Sequence, residues 1–356
     1  MSSVRAVPET QDMDGEGLSA DDAAPTVRRV GLRPLLRDSF LRFRYGDGFS
    51  HARAFALQLA LATVPLIIAG AGLAGILGAE SAAQVVARTV VAVSPGSGDQ
   101  LLADVVDRGS GAAAAGDDDA GDGAGGDEAE PPGEDIGEVA VGLGLVTAFA
   151  AMVSAFAQLE RGANRIYGVE RDRPALRKYA RAALLTVTAG SALGVGLVLI
   201  VAGGPFGTAI EQVYRWGDTA ETVWDVVRWP VGLAALVVAV TVLFRFAPRR
   251  RQPGLSWLAL GAGVTVVLWL AASGLVALYV ALSGGFSETY GPLAGVMALL
   301  LWATVTGVAL LFGLAVAAQL EGVRAGLGDP LLADADADGI PDRLAPASPT
   351  REASGG

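Results

Sequence analysis

The stretch LSWLALGAGVTVVLWLAASGLVALYVAL, residues 255–282, contains no charged side chain. An α-helix needs about 20 apolar residues to cross a hydrocarbon core of about 30 Å, so this stretch is long enough to span a membrane. Five further apolar runs lie at about residues 54–78, 137–159, 182–202, 229–247 and 292–320. The sequence therefore predicts an all-α polytopic membrane protein with six transmembrane helices.

Proline and glycine shape the predicted spans. Pro65 lies in the middle of the first run and is expected to kink that helix, because proline removes a backbone donor and clashes with the preceding turn. Gly190 and Gly194 are four residues apart in the third run, a spacing that favours close approach of two helices. Tight packing is the first interpretation of these glycines. A cavity beside the kinked first span is the alternative.

The basic residues indicate the orientation of the chain. Residues 28–53 carry seven Arg or Lys, the next loop two, residues 161–181 seven, and the later loops two, four and none. Loops rich in Arg and Lys remain in the cytoplasm. This alternation predicts a multi-pass protein of the plasma membrane with both termini in the cytoplasm, its basic loops beside anionic headgroups.

The overall composition is acidic, with 37 Asp and Glu against 26 Lys and Arg. Acidic proteins that are poor in lysine are typical of extreme halophiles, and a halophilic archaeon is the predicted source; an ordinary acidic bacterial protein is the alternative. Hydrated carboxylates that repel one another would keep such a chain soluble. The chain has no cysteine and one histidine. The missing cysteines exclude disulfides and thiolate chemistry.

Several segments outside the spans are polar. Residues 1–27, 109–135 and 326–356 are acidic and of low complexity, and we predict that they are disordered. Apolar side chains recur at helical spacing between Leu32 and Phe43, with arginines beside them, which predicts an amphipathic helix in the headgroup plane. A helix packed on a partner domain is the alternative. Residues 81–107 predict a second surface helix.

Several motifs resemble one family. Asn164-Arg165-Ile166-Tyr167, Tyr290-Gly291-Pro292-Leu293 and the Pro65 region are similar to the YihY/BrkB family of integral membrane proteins, once labelled ribonuclease BN. The resemblance covers roughly residues 30–325 and implies membrane location, six helices and transport, without implying a substrate. Family members commonly end the last span with Gly-Ala-Glu, whereas this chain has Gly313, Leu314 and Ala315.

The candidate functional residues are polar or conformationally special side chains in or beside the spans. Polar groups in a membrane are costly and therefore mark functional sites, although hydrogen bonds between helices are the commoner explanation for Ser, Thr and Gln. The candidates are Pro65, Gln158, Glu160, Asn164, Arg165, Tyr167, Tyr290 and Gly291. Glu160 follows Ala-Gln-Leu, as does Glu321, and this echo could mark two equivalent helix ends. For Glu160 we expect an ion pair with Arg161, Arg165 or an arginine of another cytoplasmic loop.

The sequence disfavours two further chemistries. A metal-dependent nuclease needs several converging His or carboxylate ligands, and the sequence offers one histidine and no motif of that kind, so we expect neither an enzyme nor nucleic-acid binding. Asp334, Asp336, Asp338 and Asp342 match calcium-loop positions, but Ala345 replaces the bidentate Glu. A solvated acidic tail is preferred, and no metal or cofactor is expected.

The function that the sequence favours is that of a transporter or permease for an ion, a metabolite or a lipid. The alternative is a non-transporting envelope protein that organises lipids. The sequence leaves the substrate, the coupling ion and the oligomeric state open.

Overall fold

A computed structural model of the chain describes residues 3–9, 18–76, 132–197, 199–200, 218–282 and 293–332. Over these residues the protein is all-helical, apart from one isolated antiparallel bridge between Val4 and Leu331. The helices are α1 (Ala20–Val30), α2 (Leu32–Tyr45), α3 (Gly48–Ile76), α4 (Pro132–Ile166), α5 (Ala175–Leu185), α6 (Asp218–Phe246), α7 (Leu255–Leu282) and α8 (Leu293–Arg324). A π-helical turn, Thr186–Gly190, continues α5.

Five helices of the described chain are long and apolar enough to cross a membrane: Val141–Ile166, Ala175–Leu197, Thr222–Phe246, Leu255–Tyr279 and Leu293–Arg324. They fall on the second to sixth predicted spans. The first predicted span, 54–78, falls on α3 but is not among the five, and side chains of α3 are described only as far as Ile67. The structure thus supports a multi-pass membrane fold, while the first predicted span, and with it the total of six, stays a prediction.

Helix α8 forms the centre of the bundle. Of its most apolar stretch, 56% is buried, against 22–33% for the other four candidate spans. It packs on α7, α3 and α2, while α3 packs most extensively on α4. Large apolar side chains on the outer surface, among them Leu61, Val146 and Val267, are half or more exposed, as expected for helices that face lipid.

Close contacts between helices occur where glycines meet. Gly313 of α8 faces Gly261 of α7, and a Cβ added to either residue would lie 2.6 Å from the carbonyl oxygen of the other. Gly307 of α8 faces α3 in the same way, since its Cβ would lie 2.8 Å from the carbonyl oxygen of Ala52. These glycines let the backbones approach, which allows dispersion contacts along the whole helix pair.

The described part of residues 1–27, a segment predicted to be disordered, has ordered contacts in the structure. Residues 20–30 form α1, and the side chain of Asp22 accepts hydrogen bonds from the N–H and hydroxyl of Ser19 at the start of that helix. Arg324 at the end of α8 lies 3.4 Å from Asp22. Residues 3–9 also pair with the chain after α8. These contacts could not be predicted from the acidic composition, because composition indicates the average solvation of a segment and not its specific partners.

Other boundaries also differ. Helix α4 begins at Pro132, inside the predicted 109–135 loop, and ends seven residues after the apolar run. Residues 326–332, in the predicted C-terminal tail, are described and include hydrogen-bonded positions. The predicted surface helix 81–107, residues 109–131 and the aspartates 334–342 lie outside the described residues.

The predicted amphipathic helix corresponds to α2, and only part of its apolar stripe is exposed. Leu35, Ser39 and Phe43 are buried against the bundle, whereas Leu32 and Phe40 are 61% and 42% exposed. One side of the stripe therefore packs on α8 and the other side is free to meet lipid. Its position in the headgroup plane stays a prediction.

Candidate functional site

Charged and polar side chains are buried at the end of the bundle where α4, α6 and α8 terminate. We call Arg42, Tyr167, Arg250, Gln319 and Glu321 the buried polar cluster. Nη1 of Arg250 donates to Oε2 of Glu321 at 2.9 Å, and the hydroxyl of Tyr167 donates to Oε1 at 2.9 Å. Both carboxylate oxygens are therefore partnered, as a fully buried carboxylate requires. This arrangement ties α4 and the loop after α6 to α8.

Arg42 enters the same cluster from α2. Its Nε donates to Oε1 of Gln319 at 3.0 Å, and its Nη1 donates to the carbonyl oxygens of Ile166 and Arg5, both at 3.1 Å. Burial lowers the pKa of Arg42 to about 10, with the charge of Arg250 acting in the same direction. The guanidinium therefore stays protonated at neutral pH although the side chain is fully buried.

Tyr167 is the aromatic member of the cluster. The guanidinium of Arg250 lies 4.5 Å from the centre of its ring, a cation–π contact. Burial and the neighbouring Glu321 carboxylate raise the pKa of Tyr167 well above its ordinary value. The phenol is therefore neutral and serves as a hydrogen-bond donor. Gly168 follows with a positive φ of 74°, a conformation that is common directly after the end of a helix such as α4.

A second ion pair lies at the end of α4. Nη1 of Arg173 contacts Oε1 of Glu160 at 2.6 Å, and Arg173 also donates to the carbonyl oxygens of Ala247 and Pro248. Glu160 thus pairs with an arginine, as expected, but this arginine is Arg173 and not one of those named from the sequence. Arg173 belongs to the same loop as Arg161 and Arg165. Helix α5 begins directly after Pro174 and packs on α4, so the loop before it returns to the end of α4. Residue spacing in the sequence cannot predict such a return of the chain.

Asn164 links this ion pair to its surroundings. Its Nδ2 donates to Oδ1 of Asp172 at 2.9 Å, and its Oδ1 accepts from the backbone N–H of Arg249 at 2.7 Å. The side chain is fully buried. The Asn-Arg-Ile-Tyr motif thus joins three segments of the chain: Asn164 holds the loops after α4 and α6, and Tyr167 holds α8.

A cavity of about 260 Å³ lies among the spans, farther from the ends than the buried polar cluster. Leu310 borders the cavity, and Glu321 belongs to the cluster. These two residues of α8 are separated by about 16 Å along the helix axis, at 1.5 Å per residue. Residues of α3, α4, α6, α7, α8 and the helix after the π-helical turn line the cavity. They include Phe55, Leu66, Phe156, Leu193, Gly194, Leu236, Trp269, Trp302 and Leu310.

The polar groups at the cavity wall are already partnered. Nε1 of Trp269 donates to Oγ1 of Thr306 at 3.2 Å, and Nε1 of Trp302 donates to Oγ of Ser273 at 3.1 Å. The hydroxyls of Thr63, Thr265 and Thr306 donate to backbone carbonyls one turn earlier. The wall consequently presents hydrocarbon and aromatic surface to an occupant. Leu66 and Gly194, both at the cavity, are exposed in the described part of the chain.

The structure brings together some of the predicted site residues and not others. Glu160, Asn164 and Tyr167 are buried at the same end of the bundle, while Gln158, Arg165 and Pro65 are partly exposed. Tyr290 and Gly291 lie outside the described residues. Sequence reasoning missed Arg42, Arg250 and Arg173 as functional candidates because it counted them as topogenic charges. The repeated Ala-Gln-Leu-Glu was the available signal, since each Glu is buried and paired with an arginine.

The described residues contain no group of three or more His, Cys, Asp or Glu side chains arranged to hold a metal ion. The expectation that the protein is not an enzyme stays a prediction.

Comparison with known proteins identifies the family. The sequence profile of the family described as virulence factor BrkB matches residues 39–336. The chain is 25% identical over 171 residues to the ribonuclease-like protein YfkH of Bacillus subtilis (strain 168), covering 48% of this chain and 62% of that protein. It is 29% identical over 180 residues to UPF0761 membrane proteins of Pseudomonas paraeruginosa and Pseudomonas aeruginosa, covering 50% of this chain and 41% of theirs.

The matched region therefore spans less than two thirds of each of these relatives. No solved structure matches the chain. The profile covers well over half of the chain and includes both the buried polar cluster and the cavity. The protein is a membrane protein that belongs to the BrkB family.

Proposed function

We propose that this protein binds the hydrocarbon tail of a lipid in the cavity between its spans and moves that lipid within the membrane. The observation that carries the proposal is the apolar wall of the cavity, whose hydroxyl and indole groups are satisfied by the protein itself. A volume of about 260 Å³ lies just below the roughly 300–1,000 Å³ of sites that enclose whole drug-sized ligands. One acyl chain fits this description better than an entire lipid.

The same wall argues against ions and polar metabolites as the substrate. An ion that leaves water needs several oxygen ligands to replace its hydration shell. A polar metabolite needs hydrogen-bond partners, because each unsatisfied group costs about 1–3 kcal/mol. Neither kind of partner is offered by Phe55, Leu193, Leu236 or Leu310. Among the substrates considered from the sequence, a lipid is therefore favoured.

The π-helical turn Thr186–Gly190 supports a role for this region in function. Gly190 closes the turn and borders the cavity, and the helix continues into Leu193 and Gly194 at the cavity edge. Short π-helical turns interrupt the regular hydrogen-bond ladder and are frequent at functional sites. We infer that this segment adjusts when a lipid tail enters.

We expect that filling the cavity blocks lipid handling. Gly194 has no neighbour within 4 Å of an added Cβ, so Gly194→Trp places an indole in the cavity with little disturbance of the helices. In proteoliposomes, the variant should reduce protein-dependent translocation of a fluorescent phospholipid at least about tenfold, as expected if the site loses 1.4 kcal/mol or more of binding energy.

Gly142→Trp is the matched control, since Gly142 is exposed on α4 and also has no neighbour within 4 Å. Equal translocation by both variants and the unmodified protein would contradict the transport proposal. If the unmodified protein binds the lipid but does not move it, the alternative of a lipid-organising envelope protein replaces transport. Ion leakage through the same vesicles should stay at the level of protein-free vesicles.

We further propose six membrane crossings with both termini in the cytoplasm. Residues 3–9 hydrogen-bond to residues 330–332, so the two ends of the described chain meet at one end of the bundle. An even number of crossings is needed for this, and α3 supplies the sixth beside the five candidate helices. Helix α3 starts at the end of the bundle where α4 finishes, so the two helices run in opposite directions.

Cysteine labelling tests this topology cleanly because the chain has no native cysteine. A cysteine at Arg171, an exposed position between α4 and α5, should react with an impermeant maleimide only after the membrane is permeabilised. A cysteine at Gly125 should react in intact cells. The reverse pattern, or reaction of both positions from the same side, would overturn the proposed orientation or the number of crossings.

A further inference from the structure

The N-terminal segment, residues 3–9, lies across the buried polar cluster and is held there mainly by its backbone. The N–H of Arg5 donates to the carbonyl of Pro330 at 2.8 Å, and the N–H of Val7 donates to the carbonyl of Tyr167 at 3.1 Å. Within the segment, Val4 and Val7 are buried. The segment is therefore docked in an extended form against α4 and the chain that follows α8.

Two carbonyl oxygens of this segment meet the two arginines of the cluster. Nη1 of Arg42 donates to the carbonyl of Arg5 at 3.1 Å, and Nη2 of Arg250 donates to the carbonyl of Pro8 at 2.6 Å. A carbonyl oxygen carries only a partial negative charge. The segment thus occupies positions at which guanidinium groups ordinarily hold the oxygens of a carboxylate or a phosphate.

The cluster carries more positive charge than it neutralises. Arg42 and Arg250 face one carboxylate, that of Glu321, and the neighbouring Tyr167 is a neutral phenol. Among the described residues, Nη2 of Arg42 and Nε of Arg250 are buried and have no hydrogen-bond partner. A surplus charge with unused donors in a dry environment is costly, and one added anion would relieve both deficits.

We propose that Arg42 and Arg250 form a binding site for phosphate oxygens, which the carbonyl groups of Arg5 and Pro8 occupy in this structure and vacate when the anion binds. The phosphate comes from free inorganic phosphate or from the headgroup of an anionic phospholipid at the cytoplasmic surface. This site is separate from the apolar cavity, and the inference does not depend on lipid transport.

The fold provides a surface that the segment can leave. Gly168 has no side chain, and an added Cβ would lie 2.6 Å from the Cα of Ala6. The contact of the segment with the end of α4 is therefore backbone against backbone. Displacing residues 3–9 breaks several hydrogen bonds and the exposed ion pair of Arg5 with Asp329. Among the described contacts it separates no buried ion pair, so a charged ligand can compete with the segment.

The test follows the reactivity of a single cysteine. Val7 is 6% exposed and neighbouring Ala6 is exposed, so Val7→Cys should react with a soluble maleimide only when the segment leaves, and Ala6→Cys should react at all times. In dodecyl maltoside, inorganic phosphate at ten times its Kd for the open site should raise the reaction rate of Val7→Cys about tenfold. The rate of Ala6→Cys should not change.

Three comparisons decide the outcome. Sodium chloride of equal ionic strength should have no effect on Val7→Cys, and Arg42→Gln should abolish the response to phosphate. In phosphate-free buffer, nanodiscs of phosphatidylglycerol should accelerate labelling relative to phosphatidylcholine if headgroups are the source, whereas acceleration by inorganic phosphate alone identifies the free anion. No acceleration by either source, or equal acceleration by chloride, would overturn the proposal.

A second measurement covers the case in which Arg42→Gln does not fold. Equilibrium dialysis should show that a chain lacking residues 2–9 binds inorganic phosphate more than about tenfold more tightly than the full chain, because the competing carbonyls are gone. Equal affinity of the two chains, or no binding by either, would overturn the proposal.

Discussion

Replacing Glu321 with glutamine is expected to lower the free energy of unfolding by about 3–5 kcal/mol, the cost of removing one partner of a buried ion pair. Glu321 is fully buried, and its carboxylate is the only negative charge in the buried polar cluster of the described chain. Its loss leaves Arg42 and Arg250 buried without a counter-charge, and neither guanidinium can readily release a proton. Equilibrium unfolding in mixed micelles measures the change.

Asp225→Asn is the control for this experiment. Asp225 lies 3.5 Å from Arg228 one helical turn away, and its side chain is 49% exposed. An exposed pair of this kind contributes about 0–1 kcal/mol. The double variant Glu321→Gln with Arg250→Gln should cost less than the sum of the two single changes, because it removes one uncompensated charge. A loss for Glu321→Gln no larger than that for Asp225→Asn would contradict the assigned role of the cluster.

Replacing Gly313 with alanine is expected to cost about 1–3 kcal/mol, and replacing it with leucine should prevent recovery of folded protein. An added Cβ would overlap Oγ1 of Thr265 and lie 2.6 Å from the carbonyl oxygen of Gly261. Both obstacles are on α7, and one of them is backbone, so the two helices would have to separate. Thermal unfolding in detergent measures the alanine variant, and size-exclusion chromatography reports recovery of the leucine variant.

Gly263→Ala is the matched control for the same helix pair. Gly263 belongs to α7 and has no atom within 4 Å of an added Cβ. Alanine there should leave stability unchanged or raise it slightly, since it restricts the unfolded chain and improves helix propensity. If Gly263→Ala is as damaging as Gly313→Ala, the close contact of α7 and α8 is not what makes Gly313 necessary.

The helices were predictable where a long apolar run alone determines them. The run at residues 255–282 coincides with α7, because Gly254 precedes it and no charged residue interrupts it. The end of α4 was not predictable in this way. Residues 160–165 are polar or small, and the helix continues through them to Ile166 because Glu160, Asn164 and Ile166 are buried by other segments. Hydropathy marks the membrane part of a helix and not its continuation into a folded end.

The buried polar cluster was only partly predictable. Arg42 was visible as an arginine at the edge of an apolar stripe, and Tyr167 belonged to the motif that resembles the family. Their partners are remote in sequence, since Gln319 is 277 residues from Arg42 and Glu321 is 154 residues from Tyr167. Counting charges per loop could not pair them, because that count treats every arginine as exposed to solvent or headgroups.

The glycine pair Gly190 and Gly194 shows the opposite limitation. The spacing predicted close helix packing, yet Gly194 has no neighbour within 4 Å and both residues line the cavity. Close packing occurs two residues later, where a Cβ on Gly196 would lie 2.9 Å from the side chain of Leu236. A small residue leaves space on one face of a helix. Whether a helix or an apolar ligand fills that space depends on the tertiary arrangement.

The halophilic source stays a prediction from composition.

The most direct test of the lipid proposal is to locate an acyl chain inside the protein. The protein would be reconstituted with a phospholipid that carries a diazirine in its acyl chain, irradiated, and digested for peptide mass spectrometry. Leu236 and Leu310 line the cavity and are only 4% and 6% exposed, so adducts on them can form only from within it. We expect adducts on these two residues, and we expect them to be lost in Gly194→Trp. Adducts confined to outward-facing residues such as Val267 and Leu268 would contradict it.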